Sequence, residues 1–122
     1  MKKLILIGSV VIISLALLFT GCFKPDCPVP DSSKITASSG TPGTGGMMIG
    51  GAEGAVEPGT TVTVTDGDGH TATTTADANG SFTLTELDLP EGFDHTIGNT
   101  LSVTQKSEDC KESPAVDITI VL

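Results

Sequence analysis

The chain has 122 residues, room for one ordinary domain and not for two hydrophobic cores. Fifteen Asp and Glu stand against six Lys and no Arg; the net charge of −9 repels phosphate backbones and leaves nucleic acid out as an expected partner. With no Trp, no Tyr and four Phe, the aromatic platforms that stack sugars or bases are missing too.

Met1 to Lys3 form a positive start, and Leu4 to Phe19 are apolar except for Gly8, Ser9 and Ser14, the layout of a secretory signal. The run of about 16 residues is shorter than the ~20 that a spanning helix needs. It ends in Leu18-Phe19-Thr20-Gly21-Cys22, which resembles the lipobox of bacterial lipoprotein signals, with Phe19 where that family prefers Leu. The resemblance implies that the Cys22 thiol takes a diacylglyceryl group, that residues 1–21 are removed, and that the new amino terminus is acylated in turn. Losing Lys2 and Lys3 would take the charge from −9 to about −11. Two or three acyl chains hold a protein on a bilayer almost irreversibly, so the membrane is the first expected partner and the outer membrane or cell surface the expected location. A module held there meets its neighbours at high effective concentration and works with weak intrinsic affinity.

Residues 22–46 read as a tether, rich in Pro, Ser, Thr and Gly and unable to build a core. Within it, Lys34-Ile35-Thr36-Ala37 has strand character and is expected at a sheet edge. Once Cys22 is lipidated, Cys27 and Cys110 are left as an even pair, either a disulfide or two free thiols. A bridge would leave only Phe23 to Asp26 free and would hold the module within about 15 Å of the bilayer.

From Met47 the pattern turns to period two. Val62 and Val64 alternate with Thr61, Thr63 and Thr65; Phe82 and Leu84 with Ser81, Thr83 and Thr85. Leu101 and Val103 alternate with Ser102 and Thr104, and Val116, Ile118, Ile120 and Leu122 with Asp117, Thr119 and Val121. One apolar and one hydroxyl-rich face per strand is what an antiparallel sheet buried on one side requires. Met47 and Ile49 begin the series, and Thr71 to Ala76 form a weaker strand whose facing the pattern leaves open. Glu57-Pro58-Gly59, Asp66-Gly67-Asp68-Gly69 and Asp77-Ala78-Asn79-Gly80 are turn chemistry between strands. The fold expected for residues 47–122 is therefore all-β, a small two-sheet sandwich.

Ile49-Gly50-Gly51-Ala52, Glu57 to Val64, Asp68-Gly69 and Ala76 to Leu84 resemble the bacterial Ig-like domains of surface proteins and adhesins, and the likeness continues through Leu101 to Thr104 and Ser113 to Val116. The Asp-Ala-Asn-Gly-Ser-Phe stretch is also similar to transthyretin-like and carboxypeptidase-regulatory-like sandwiches. The resemblance implies an Ig-like sandwich and a non-catalytic module that makes protein or surface contacts, its partner an unidentified envelope or surface protein. The alternatives are a ligand-binding lipoprotein, for calcium or a glycan, and an accessory domain of the transthyretin-like kind.

No nucleophile and base stand together in the sequence; His70 and His95 fall in or beside probable turns, and catalysis is not expected. Asp66, Asp68, Asp77 and Asn79 bring hard oxygen ligands into turns and are the candidate calcium ligands, provided that those turns share one end of the sandwich. Turn formation alone also accounts for them, and the spacing lacks the terminal Glu of an EF-hand loop. No cofactor other than the covalent lipid is expected.

Overall fold

Threonine and valine alternate through much of the chain, and β-branched side chains at every second position favour extended backbone. The computed structural model describes residues 24–40 and 46–122 and has seven strands there; the signal segment, Cys22 and Phe23 lie outside the described residues. In chain order the strands are β1 (Ile35–Ser38), β2 (Met48–Gly51), β3 (Thr61–Thr65), β4 (Thr71–Thr75), β5 (Phe82–Thr85), β6 (Thr100–Lys106) and β7 (Val116–Val121), with 3₁₀ turns at Ser32–Lys34 and Glu86–Asp88.

Two layers face each other. One holds β4, β3, β6 and the first part of β7, paired antiparallel throughout. The other holds β5, β2 and β1, also antiparallel. They are joined by β7, whose Val116–Thr119 half pairs with β6 while Ile120 and Val121 pair parallel with Ala37 and Ser38 of β1. The hydrogen-bonded order is β4-β3-β6-β7-β1-β2-β5, folded so that its two outer strands, β4 and β5, come near each other.

Between the layers the inward residues of every strand meet: Ile35 and Ala37, Ile49, Val62 and Val64, Ala72, Phe82 and Leu84, Leu101 and Val103, Ile118 and Ile120. Met47 and the loop residues Ala55, Val56 and Phe93 cap the core. The facing of β4, open in the sequence, is settled by this packing: Ala72 points in, and Thr71, Thr73 and Thr75 point out.

The position of β1 differs from the sequence expectation. Instead of lying at an edge it sits between β7 and β2, and the stretch before it, within the segment read as tether, packs on the sandwich: Cys27 and Pro30 are buried, and the backbone at Asp26 pairs with that at Lys111 in a parallel β-bridge. The tether reading thus does not describe residues 24–38. The reason is physical: Ile35-Thr36-Ala37-Ser38 shows only two periods of alternation amid Pro and Ser, too little for a sequence window, yet each side of so short a strand can be paired.

Gly80 illustrates how the turns are specified. Its φ is +76°, and a Cβ there would overlap the Val56 carbonyl oxygen, so only glycine lets the β4–β5 turn lie against the β2–β3 loop. Gly80→Ala is expected to cost about 2 kcal/mol or more from backbone strain and overlap. Leu101→Ala, at a fully buried site, should cost about 3 kcal/mol by leaving a cavity. Urea denaturation of both variants checks these values, and a change below half the stated cost would show that the core relaxes around the substitution.

Candidate functional site

Strand register decides which loops can cooperate. Thr61 lies opposite both Thr75 and Lys106, so the β2–β3 loop, the β4–β5 turn and the β6–β7 loop share one end, here called the proximal end. Thr65 lies opposite Thr71 and Ser102, which sends the β3–β4 turn and the β5–β6 loop to the other, distal end. Asp66 and Asp68 are consequently distal, and Asp77 and Asn79 proximal. The five residues of β4 separate them by about 17 Å. The four expected calcium ligands therefore do not form one site; each strand reverses the chain, so successive turns alternate ends.

At the distal end Asp66 is the organising residue, its side chain fully shielded from solvent. Oδ1 accepts from the Asp68 and His70 backbone N–H groups at 2.9 and 2.8 Å. Oδ2 accepts from the Asp94 N–H and pairs with His70 Nδ1, both at 2.9 Å. Burial alone would raise the Asp66 pKa, but the N–H groups of Asp94, His70 and Asp68 and the imidazole together hold the carboxyl below its ordinary value. Asp66, Asp68 and His70 place ligand-type atoms within 4.8 Å of one another, yet these same contacts occupy both Asp66 oxygens in closing the turn and fastening the β5–β6 loop to it.

A second distal pair joins that loop to the opposite layer. Glu86 accepts from the Met47 N–H at 2.8 Å, and its carboxylate lies 2.7 Å from His95 Nε2, while His95 Nδ1 donates to the Phe93 carbonyl at 2.6 Å. Both imidazole nitrogens face acceptors, which only the protonated ring satisfies. The Glu86 contact accordingly raises the His95 pKa, and the Met47 N–H followed by His95 lowers that of Glu86. Neither histidine has a Ser, Thr or Cys side chain as a hydrogen-bond partner among the described residues, so no nucleophile–base pair is assembled.

At the proximal end Cys27 and Cys110 are joined as a disulfide, with Cα atoms 4.9 Å apart, and the Cys27 N–H donates to the Lys111 carbonyl at 2.8 Å. Beside them Gln105, 1 % exposed, sits where the Leu101, Val103 alternation would place another apolar side chain. Its Oε1 accepts from the Glu57 N–H at 2.8 Å and from the Thr60 hydroxyl at 3.2 Å, and its Nε2 donates to the Pro28 carbonyl at 2.5 Å. One buried amide thus ties the N-terminal segment to the β2–β3 loop. Glu86 and Asp94 carry no local signal of their roles in the sequence, whereas Gln105 does, as a polar residue at an inward position of the β6 alternation. An open depression of about 1060 Å³ adjoins this end, lined by Lys24, Glu57, Thr75, Lys106 and Asp109 among others.

The two layers sharing a strand and the Ig-like residue pattern agree with the comparison to known families: the family model described as Bacterial Ig domain matches residues 45–121. The chain belongs to the bacterial Ig domain family. Comparison with curated proteins gives no match. Domains of this family are non-catalytic modules that commonly occur on cell-surface proteins. The matched region begins after β1, so β1 and the disulfide-bonded segment before it are contributed by residues outside the match.

Two measurements follow from these contacts. The lowered Asp66 pKa means that its stabilisation is present above the unfolded value near ~3.9 and is lost as pH falls through the folded value. Asp66→Asn should accordingly flatten the acid limb of the stability profile, whereas an unchanged limb would contradict the assignment. The raised His95 pKa acts in the opposite direction, its contribution lost as pH rises through the folded value, and it is small because both partners are substantially exposed. Cys27 and Cys110 are 83 residues apart, and opening that loop should cost up to about 4.6 kcal/mol on the chain-entropy estimate. Melting curves with and without reductant measure it.

Proposed function

We propose that the chain is a lipid-anchored contact module, held at the envelope or cell surface by acyl chains on Cys22 and presenting an Ig-like sandwich to a protein partner there. One observation carries this reading: the N-terminal segment is fastened to the proximal end by the Asp26–Lys111 bridge, the Cys27–Cys110 bond and the Gln105–Pro28 hydrogen bond. An anchor at Cys22 then leaves only Phe23 and Lys24 as its leash before Pro25, whose carbonyl accepts from the Lys111 N–H, and the proximal end is held within about 15 Å of the bilayer.

Charge supports the same orientation. All four lysines among the described residues, Lys24, Lys34, Lys106 and Lys111, belong to the proximal end, where they offset part of its acidity. The distal end holds Asp66, Asp68, Glu86, Asp88, Glu91 and Asp94 without a lysine. Anionic headgroups repel the distal end more, so the module stands with its distal loops outward. Protein contact suits it better than enzymatic work, for the described histidines are engaged with carboxylates that close or join loops.

The test is the fate of the chain in cells. Wild type should take up radioactive palmitate and fractionate with membranes, and Cys22→Ser should abolish labelling and release the protein. An unlabelled, soluble wild type would overturn the anchor. Photocrosslinkers at distal positions, compared with proximal ones, should then capture the contacting protein preferentially from the distal side.

A further inference from the structure

Apolar surface that folding leaves in water gathers at one end of this sandwich. Among the described residues six large apolar side chains are exposed: Val29, Met48, Leu87, Ile97, Val121 and Leu122. Strand pairing places them. Thr119 lies opposite Thr100, and β6 begins at the distal end, so β7 runs toward that end and finishes there. Val121 lies beside Ser38, Ser38 opposite Met48, and Met48 opposite Thr85, one distal row across β7, β1, β2 and β5. The row is on the outer face, because the neighbours Ile120, Ala37, Ile49 and Leu84 point into the core.

In that row Met48 is 55 % and Val121 49 % exposed, with Ser38 between them, and Leu122 follows directly. On the far side of β7 the Gly98 N–H donates to the Ile120 carbonyl at 2.8 Å, which brings the turn at Ile97 to the same corner. Beyond β5, Leu87 follows Thr85 by two residues and is 96 % exposed. Five of the six exposed apolar residues therefore lie along a distal rim about 19 Å long, four strand spacings from β5 to the Ile97 turn. Single exposed apolar side chains are ordinary; a group of them marks a contact surface.

Charge around the rim selects what it contacts. Glu86 is answered by His95 at 2.7 Å, but Asp88, next to Leu87, and Asp94, three residues before Ile97, have no cationic partner among the described residues. No described lysine lies at this end. A second copy would bring the same carboxylates against these, and an anionic bilayer is repelled by them. A cationic polypeptide is attracted.

We propose that the distal rim is a docking site for a polypeptide segment that carries apolar side chains between lysines or arginines. Met48, Val121 and Leu122 receive the apolar side chains, and Asp88 and Asp94 face the cationic groups toward either end. Apolar burial holds such a partner, while the carboxylates speed its encounter and reject acidic competitors. That the rim meets a partner rests on the outward orientation of the distal end proposed above; the rim and its chemistry do not depend on the anchor.

Methyl-labelled methionine supplies an internal control, because Met47 and Met48 are adjacent and Met47 is only 1 % exposed. The probes are blocked peptides of eight residues that alternate leucine with lysine, leucine with glutamate, or serine with lysine; extended, they span about 26 Å and cover the rim. The full chain is held in phosphatidylcholine nanodiscs, so that the outcome is the same whether or not Cys22 carries lipid. The leucine–lysine peptide should shift the Met48 methyl resonance and leave that of Met47 in place, and each of the other two should bind at least about tenfold more weakly. Val121→Thr combined with Leu122→Ser should weaken the leucine–lysine peptide about tenfold without lowering the melting temperature, and Val29→Thr at the proximal end should leave it unchanged. No shift at Met48, equal binding of the glutamate peptide, or undiminished binding by the double variant would each overturn the proposal. So would a Met48 methyl already perturbed by the bilayer before peptide is added, which gives the rim to lipid, or a sedimenting dimer that the double variant disperses, which gives it to a second copy.

Discussion

Everything in this sandwich depends on β7 having two partners. Its first half completes the layer of β4, β3 and β6, and its last residues turn to run beside β1, so a single strand belongs to both sheets. Two independent sheets would present four edges; sharing β7 through β1 leaves the sandwich with β4 and β5 as outer strands on one side. Between them the buried aliphatic and aromatic side chains of every strand meet, and removing that surface from water is the main favourable term for a domain of this size.

Because β1 is a structural partner of β7, the N-terminal segment is part of the fold and not an appendage. The disulfide, the Asp26–Lys111 bridge and the Gln105 amide secure it at three points within a few residues. A small domain has little stability to spare, and such fastening reduces the freedom of the unfolded chain as well as adding contacts. The buried Gln105 shows the same economy in polar form: both ends of its amide are satisfied, and no buried side-chain nitrogen or oxygen among the described residues lacks a partner.

The two ends differ in the work their polar groups do. Proximal contacts hold the chain's beginning in place, whereas distal ones, centred on Asp66 and Glu86, brace long loops against the strands. Carboxylates dominate the distal end, where they act mainly as acceptors for backbone N–H groups, the role that burial or partial burial at a turn favours. An acidic composition thus serves the turns locally while setting the surface field of the whole molecule.

Much of the architecture was readable from residue order. Val62 to Thr65, Phe82 to Thr85, Leu101 to Thr104 and Val116 to Val121 announced their strands and inward faces, because period-two alternation is a local property of a half-buried strand. The turns between them were equally plain, since Asp-Gly and Asn-Gly pairs record a backbone requirement within a few residues. What needed the tertiary structure was every relation across the chain. Strand order placed β1 in the interior, register separated Asp66 and Asp68 from Asp77 and Asn79, and folding of the loops brought Glu86 to His95 and Asp66 to Asp94. Local alternation reports which face of a strand is buried; pairing between distant segments is decided only when both compete for the same hydrogen bonds and the same core.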